Sequence, residues 1–392
     1  MAEEGILPWE ATMRRSRLVR RLSALTAVAG TVILCSSSVA SASGGWTVQP
    51  VPPTRHTAFV DSVSCRSTTA CVTVGQGFPS GRHAYALLAY VWNGTSWTRQ
   101  PVPPPAGSSV RELTAVSCFS PVQCTAVGYY QPSPGTGFLP LAEHLAGGSW
   151  QLETVPPPPS ATETALDGVS CPAVNWCMAV GVDYSTSAAA EVWNGTSWAS
   201  VPTPPVGNSS TTLNKVSCTS ASSCIAVGQS NDADGTEAAV AESWNGTSWT
   251  LQQLPTLPGN DNFLGDVSCS SATACTAVGE YIPTPTGNAK PLAVRWNGTA
   301  WATQSFPAGT SLVAVSCPAA ASCTAAGTAG IDDAGPPQIF HWNGSGWHKV
   351  TTPVPAGSLG ASLYGISCLR SGYCAAVGGY SANGQHPLAE DN

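Results

Sequence analysis

Hydrophobic positions along this chain fall in short alternating runs rather than at helical intervals. Segments such as LTAVSC (113–118) and CTAVG (124–128) place small and β-branched residues on two strands separated by a five-residue turn. A second pair of runs, AEVW (190–193) and SWAS (197–200), flanks Asn194-Gly195. Asn and Gly tolerate the positive φ that a tight turn demands, so this pair reads as another hairpin.

The pattern recurs. VSC, C-x-A-V-G, a short apolar run ending in WNGTSW, and a proline-rich exit such as QPVPPP follow one another in the same order, with first cysteines spaced 53, 53, 47, 51, 48 and 51 residues apart. Each unit yields four strands, A to D. The predicted fold is all-β: a seven-bladed β-propeller of four-stranded antiparallel blades. A parallel β-helix or an open solenoid is the rival architecture.

Composition adds the compartment. Only 9% of residues are charged, against 39 Gly and 33 Pro, which suits short strands and turns. Residues 1–42 read as an export signal: five arginines between Arg14 and Arg21, an apolar run from Leu22 to Leu34 too short to span a bilayer, and the small-x-small site Ala40-Ser41-Ala42. The three glutamates before Met13 suit a signal poorly and point to Met13 as the true start. Domain 43–392 would then be the propeller, secreted, with no transmembrane segment. Its ten Lys+Arg against nineteen Asp+Glu, a net charge of −9, argue against nucleic acid as a partner.

Cysteine spacing supports an oxidising compartment. Apart from Cys35 in the signal, fourteen cysteines form seven C-x5-C pairs. These are Cys65 with Cys71, Cys118 with Cys124, Cys171 with Cys177, Cys218 with Cys224, Cys269 with Cys275, Cys317 with Cys323, and Cys368 with Cys374. The histidines do not follow the repeat, so a metal reading fails and seven local disulfides are expected. No cofactor is expected either.

Strand parity separates the two ends of the ring. The A-B and C-D turns, which carry the repeated motifs, must emerge at one end, and the B-C and D-A connections at the other. Those connections vary between units, as in QGFPSGRHAY, YYQPSPGTGF, QSNDADGTEA, EYIPTPTGNA and TAGIDDAGPP. Variable loops on a uniform scaffold are where binding is expected. The candidate binding residues are Tyr130, Asp183, Tyr184, Asp232, Asp234, Glu237, Glu280, Tyr281, Asp332 and Asp333. Asn231 to Gly235, with Glu237 beyond, is similar in part to a calcium loop, but it lacks the full ligand series and reads as a solvated acidic turn. The tryptophan pairs flanking the WNGTSW turns fit cross-strand and inter-blade packing better than sugar stacking. Their NGT and NGS triplets are explained by the turn and not by glycosylation.

WNGTSWT followed by VP-x-P and a strand pair ending in Gly resembles the kelch and galactose-oxidase class of propellers. With C-x5-C added, the chain from Gly44 to Asn392 resembles secreted repeat proteins of actinobacteria. Kelch units typically carry Gly-Gly, which only Gly378-Gly379 provides here. The G-x-x-W spacing of Gly94 to Trp97 is similar to the Asp-box turn of sialidases, with Trp92 in place of its aspartate.

Chemistry for catalysis is sparse. No two variable-end carboxylates have a spacing that singles them out as a glycosidase pair, the arginines are scattered, and neither G-x-S-x-G nor H-E-x-x-H occurs. The expected function is an extracellular, monomeric binding scaffold for a protein or polysaccharide, and the alternative is a carbohydrate-active hydrolase on the same scaffold.

One irregularity remains. The seventh unit ends at HPLAEDN, before its strand D, while Trp46 to Pro53 matches Trp97 to Pro104 at seven of eight positions. The amino-terminal segment is therefore expected to supply the missing strand.

Overall fold

A computed structural model describes residues 45–54, 57–78, 85–159, 161–184, 188–207, 210–232, 235–259, 261–284, 288–329, 335–382 and 384–392. They form twenty-eight strands in seven four-stranded antiparallel sheets. Strand β1 (Thr47–Gln49) precedes blade 1, which comprises β2 (Thr57–Ser67), β3 (Ala70–Phe78), β4 (Ala86–Trp92) and β5 (Trp97–Gln100) as strands A to D. Blades 2 to 6 repeat this order as β6–β9 (110–153), β10–β13 (164–200), β14–β17 (210–251), β18–β21 (261–303) and β22–β25 (310–350). Blade 7 comprises β26 (Gly360–Cys368), β27 (Cys374–Ser381) and β28 (Gln385–Asp391). Its fourth strand is β1, with Thr47 opposite Asp391 and Gln49 opposite Ala389. Among the described residues no helix is long and apolar enough to cross a membrane.

The inner A strands touch one another around the whole ring, and hydroxyls stitch them together. The Ser before each blade's first cysteine, in VSC or in the ISC of blade 7, accepts the backbone N–H of the next blade's first cysteine, from Cys118 on Ser64 to Cys65 on Ser367, at 2.8–3.0 Å in all seven seams. These bonds satisfy N–H groups that the sheets leave without partners, which is why the motif repeats a serine. Each A strand also carries a β-bulge opposite the glycine of C-x-A-V-G. At Gly279 a Cβ would lie 2.1 Å from the Phe263 carbonyl oxygen, so only hydrogen fits there.

All seven disulfides expected from the C-x5-C spacing are present. Cys65 is bridged to Cys71, Cys118 to Cys124, Cys171 to Cys177 and Cys218 to Cys224. Cys269 is bridged to Cys275, Cys317 to Cys323 and Cys368 to Cys374, and across the seven the Cα atoms lie 3.9–4.1 Å apart. Each bridge joins strands A and B of one blade at the mouth of their turn, so it constrains that hairpin and ties no two blades together. The second cysteine is the more deeply placed: Cys71, Cys124, Cys177, Cys224, Cys275 and Cys323 are all buried on strand B.

In the WNG turns Asn acts as a local acceptor. Asn93 Oδ1 takes the N–H groups of Thr95 and Ser96 and the Thr95 hydroxyl, all at 2.9 Å, while Gly94 holds φ at +96°. Blade 2 turns instead through Gly147-Gly148, both at positive φ. Five tryptophan pairs stand directly across strands C and D with ring centroids 5.5–5.8 Å apart. The strand D tryptophan packs on the preceding blade, as Trp97 does with Ala375, Val377 and Ala389 of blade 7. This geometry is the packing role expected from the sequence.

The seams contain one repeated polar position. Glu143, Glu191, Glu242 and Glu390 occupy the third-strand site held by Tyr90, Val294 and Phe340 in the other blades, and all seven residues are buried. Among the described residues, neither carboxyl oxygen of Glu143, Glu242 or Glu390 has a hydrogen-bond partner. Burial pushes Glu242 and Glu390 up to about 8. Burial, reinforced by the Glu153 carboxylate, does the same to Glu143, and burial opposed by the Ser200 hydroxyl raises Glu191 to about 8.

Candidate functional site: the variable end of the ring

The turns sort to the two ends as strand parity requires. Trp92 Nε1 donates to Thr68 O at 3.1 Å, joining the C-D and A-B turns of blade 1 at the repeated end. At the other end, Tyr85 N donates to Ser109 O at 3.0 Å, joining the B-C and D-A connections.

Most of the candidate residues predicted from the sequence sit where strand B or C meets this variable end, one or two to a blade. Tyr130 in blade 2 faces Arg111 in the register and is half-buried. In blade 3, Asp183 is opposite Thr164 and buried, and Tyr184 beside it is exposed. In blade 4 the Asp232 N–H bonds to Thr236 O at 3.0 Å, and Glu237 begins the third strand, its N–H on Asp261 Oδ1 at 3.2 Å. Glu280 in blade 5 is buried opposite Phe263, and Tyr281 packs into the seam with blade 4. Asp234, Asp332 and Asp333 lie outside the described residues. The described members of the set are thus spread over blades 2 to 5.

A different group of residues is brought together across the closing seam. Tyr364, the bulge residue of blade 7, meets Phe59 of blade 1 edge-on at 6.2 Å. Phe59 contacts Phe78 at 5.3 Å, and Phe78 contacts Tyr85 edge-on at 4.8 Å. Four rings therefore run from the inner strands out to the B-C connection of blade 1. Phe59 is buried and the other three are half-buried, so the run is a packed platform whose half-buried rings keep an accessible part. The signal in the sequence was a comparison of units: the Phe59 position is Glu112, Ala165, Thr212, Ser311 or Ser362 in five other blades, and Phe263 in the sixth.

Four of the seven bulge residues on the A strands are polar. The bulge residues include Asp61, Thr114, Asp167 and Asn214, and the Asn214 amide donates to Gln229 Oε1 at 2.6 Å and to Leu264 O at 2.8 Å. Lys215 of blade 4 reaches past blade 3 to blade 2, its ammonium donating to Asp167 O at 2.6 Å and Thr114 O at 3.3 Å. Asp266 of blade 5 accepts the N–H groups of Val315 at 2.7 Å and Val267 at 2.8 Å. Burial pushes its carboxyl up to about 6, opposed by the Val315 donor, the Lys215 charge and the Val267 donor. This level of the ring is thus occupied by the protein's own hydrogen-bonded groups. Among the described residues no cluster of His, Cys, Asp or Glu has the form of a metal site.

The chain matches no family model and no curated protein. Among solved structures it is similar to YCF48 bound to D1 peptide, at 12% identity over 89% of this chain and 96% of that one, with a TM-score of 0.54. It is likewise similar to YCF48 from Cyanidioschyzon merolae, at 16% identity over 89% and 98% of the two chains, with a TM-score of 0.54. At such identities the likeness is one of fold: the chain is a seven-bladed β-propeller closed by its amino-terminal strand.

Proposed function

We propose that the protein is a secreted binding module that recognises a protein or polysaccharide through the B-C and D-A connections. The observation carrying this reading is the platform Tyr364–Phe59–Phe78–Tyr85, built at a single seam of an otherwise repeated framework. Accessible aromatic rings give a large contact area at low entropic cost, to the faces of sugar rings and to apolar side chains alike. Residues 1–42 direct export, and the seven disulfides suit an oxidising compartment.

Parallel glycan and peptide arrays, probed with the mature protein and with the Phe78→Ala/Tyr85→Ala variant, test the proposal. Binding lost in the variant, with melting unchanged, is the expected result. Array binding that survives the double substitution, or binding abolished by changes at the WNG turns instead, would overturn this placement.

A further inference from the structure

We infer that a cavity between blades 1 and 2 is a binding site for an aliphatic carboxylate of the kind a peptide presents at its carboxyl terminus. The inference rests on reading the variable end as a binding surface and names the ligand class at one place on it.

The cavity, about 410 Å³, has walls contributed by Leu87, Pro101, Val102, Pro104, Arg99 and Arg111. Part of the lining is apolar: Leu87 belongs to the core of the seam, and Val102 packs against that core. Pro101 and Pro104 fix the D-A connection, because each proline locks its own φ. The preformed shape thus does not depend on ordering a loop.

Two arginines, Arg99 and Arg111, bring charge to the lining, and Arg111 is the one held in place. The corresponding position in the other six blades is Ala58, Thr164, Thr211, Asn262, Thr310 or Ala361, so the arginine is a departure from the repeat and not part of the framework. Its Nη1 donates to Ser108 O at 2.7 Å and Ser108 Oγ at 3.0 Å, which fixes the guanidinium, and its buried Nε has no acceptor. Both Ser108 partners are neutral, and among the described residues no carboxylate pairs with Arg111. A held, partly desolvated cation without a counter-ion is costly, and an entering anion offsets that cost. Guanidinium favours the planar carboxylate. The apolar wall beside it favours an aliphatic group next to the carboxylate over the hydroxyl-covered ring of a uronic acid.

Titration of the mature protein with N-acetyl-L-leucine, N-acetyl-L-leucinamide and glucuronate separates the cases. Saturable binding of N-acetyl-L-leucine is expected, with the amide and glucuronate each weaker by about tenfold or more. Arg111→Gln should lose about tenfold in affinity without a change in melting, and Arg111→Lys should retain part of it. Equal binding of the amide, undiminished binding by Arg111→Gln, preference for glucuronate, or no saturation below about 20 mM would each overturn the assignment. The Phe78→Ala/Tyr85→Ala variant should bind N-acetyl-L-leucine normally, so failure at this cavity and failure of the aromatic platform are told apart.

Discussion

The Ser367 hydroxyl of blade 7 accepts the backbone N–H of Cys65 in blade 1 at 3.0 Å, across 302 residues of chain. This bond is the seventh of an identical series, so the closing seam is built like every other. Ser367→Ala would leave a partly buried N–H without its acceptor and should cost about 1–3 kcal/mol. A lowered denaturant midpoint with an unchanged slope is the expected reading. The same loss is expected for Ser316→Ala at the neighbouring seam, where Cys368 N–H donates at 2.9 Å. If only Ser367→Ala mattered, the closing seam would be special after all.

The amino-terminal strand supplies more than three ladder pairs. Trp46 is buried among Ala314, Ala326 and Ile339 of blade 6, and Asp391 accepts from Thr47 Oγ1 at 2.9 Å and Gln49 Nε2 at 2.5 Å. Trp46→Ala should cost about 3–5 kcal/mol, and deletion of residues 44–53 should cost more, because it also exposes β28 as an edge. Calorimetry of the deletion variant would reveal this as a large drop in melting temperature. Melting that stays put would contradict closure by this strand.

The buried glutamates make stability depend on pH. Their folded-state values near 8 lie above the ordinary value of 4.5, so the folded form holds protons that the unfolded form releases between those limits. Stability is then fully present below about pH 4 and declines as pH rises through about 8. Glu242→Leu places an aliphatic residue where Val294 stands in the next blade. It should raise stability at pH 8–9 by about 1–4 kcal/mol while changing little at pH 4. Melting curves for the two proteins over this range would show the difference, and parallel curves would refute it.

Backbone closeness at the bulges predicts a sharper effect. Gly279→Ala would drive a methyl group to 2.1 Å from the Phe263 carbonyl oxygen. The sheet cannot retain its register with that contact, and a loss above about 3 kcal/mol or a failure to fold is expected. Gly77→Ala in blade 1 is the control, since its nearest neighbour would be 3.7 Å away. It should be tolerated within about 1 kcal/mol.

Much of the architecture was legible because it is local and repeated. Seven C-x5-C spacings fix seven hairpins, Asn-Gly fixes five of the C-D turns, and the match of Trp46–Pro53 to Trp97–Pro104 points to the closing strand. In each case the cause lies within a few residues or in likeness to another copy. The glycine of C-x-A-V-G was visible as a constant, but the structure places it inside strand B, and its cause, a carbonyl oxygen on the neighbouring strand, was not legible.

What the tertiary structure alone decided concerns neighbours around the ring. Alternation along LPLAEH shows that Leu141 and Glu143 share a face, yet not that this face meets blade 1 with no donor in reach. The serine of VSC could be counted but not paired, since its partner N–H lies about one repeat away. Tyr364 and Phe59 stand 305 residues apart in sequence and 6.2 Å apart at their rings, and Arg111 faces a cavity walled by the preceding blade. Local sequence sets which way a side chain points, whereas ring closure sets what it points at, and the candidate sites depend on the second.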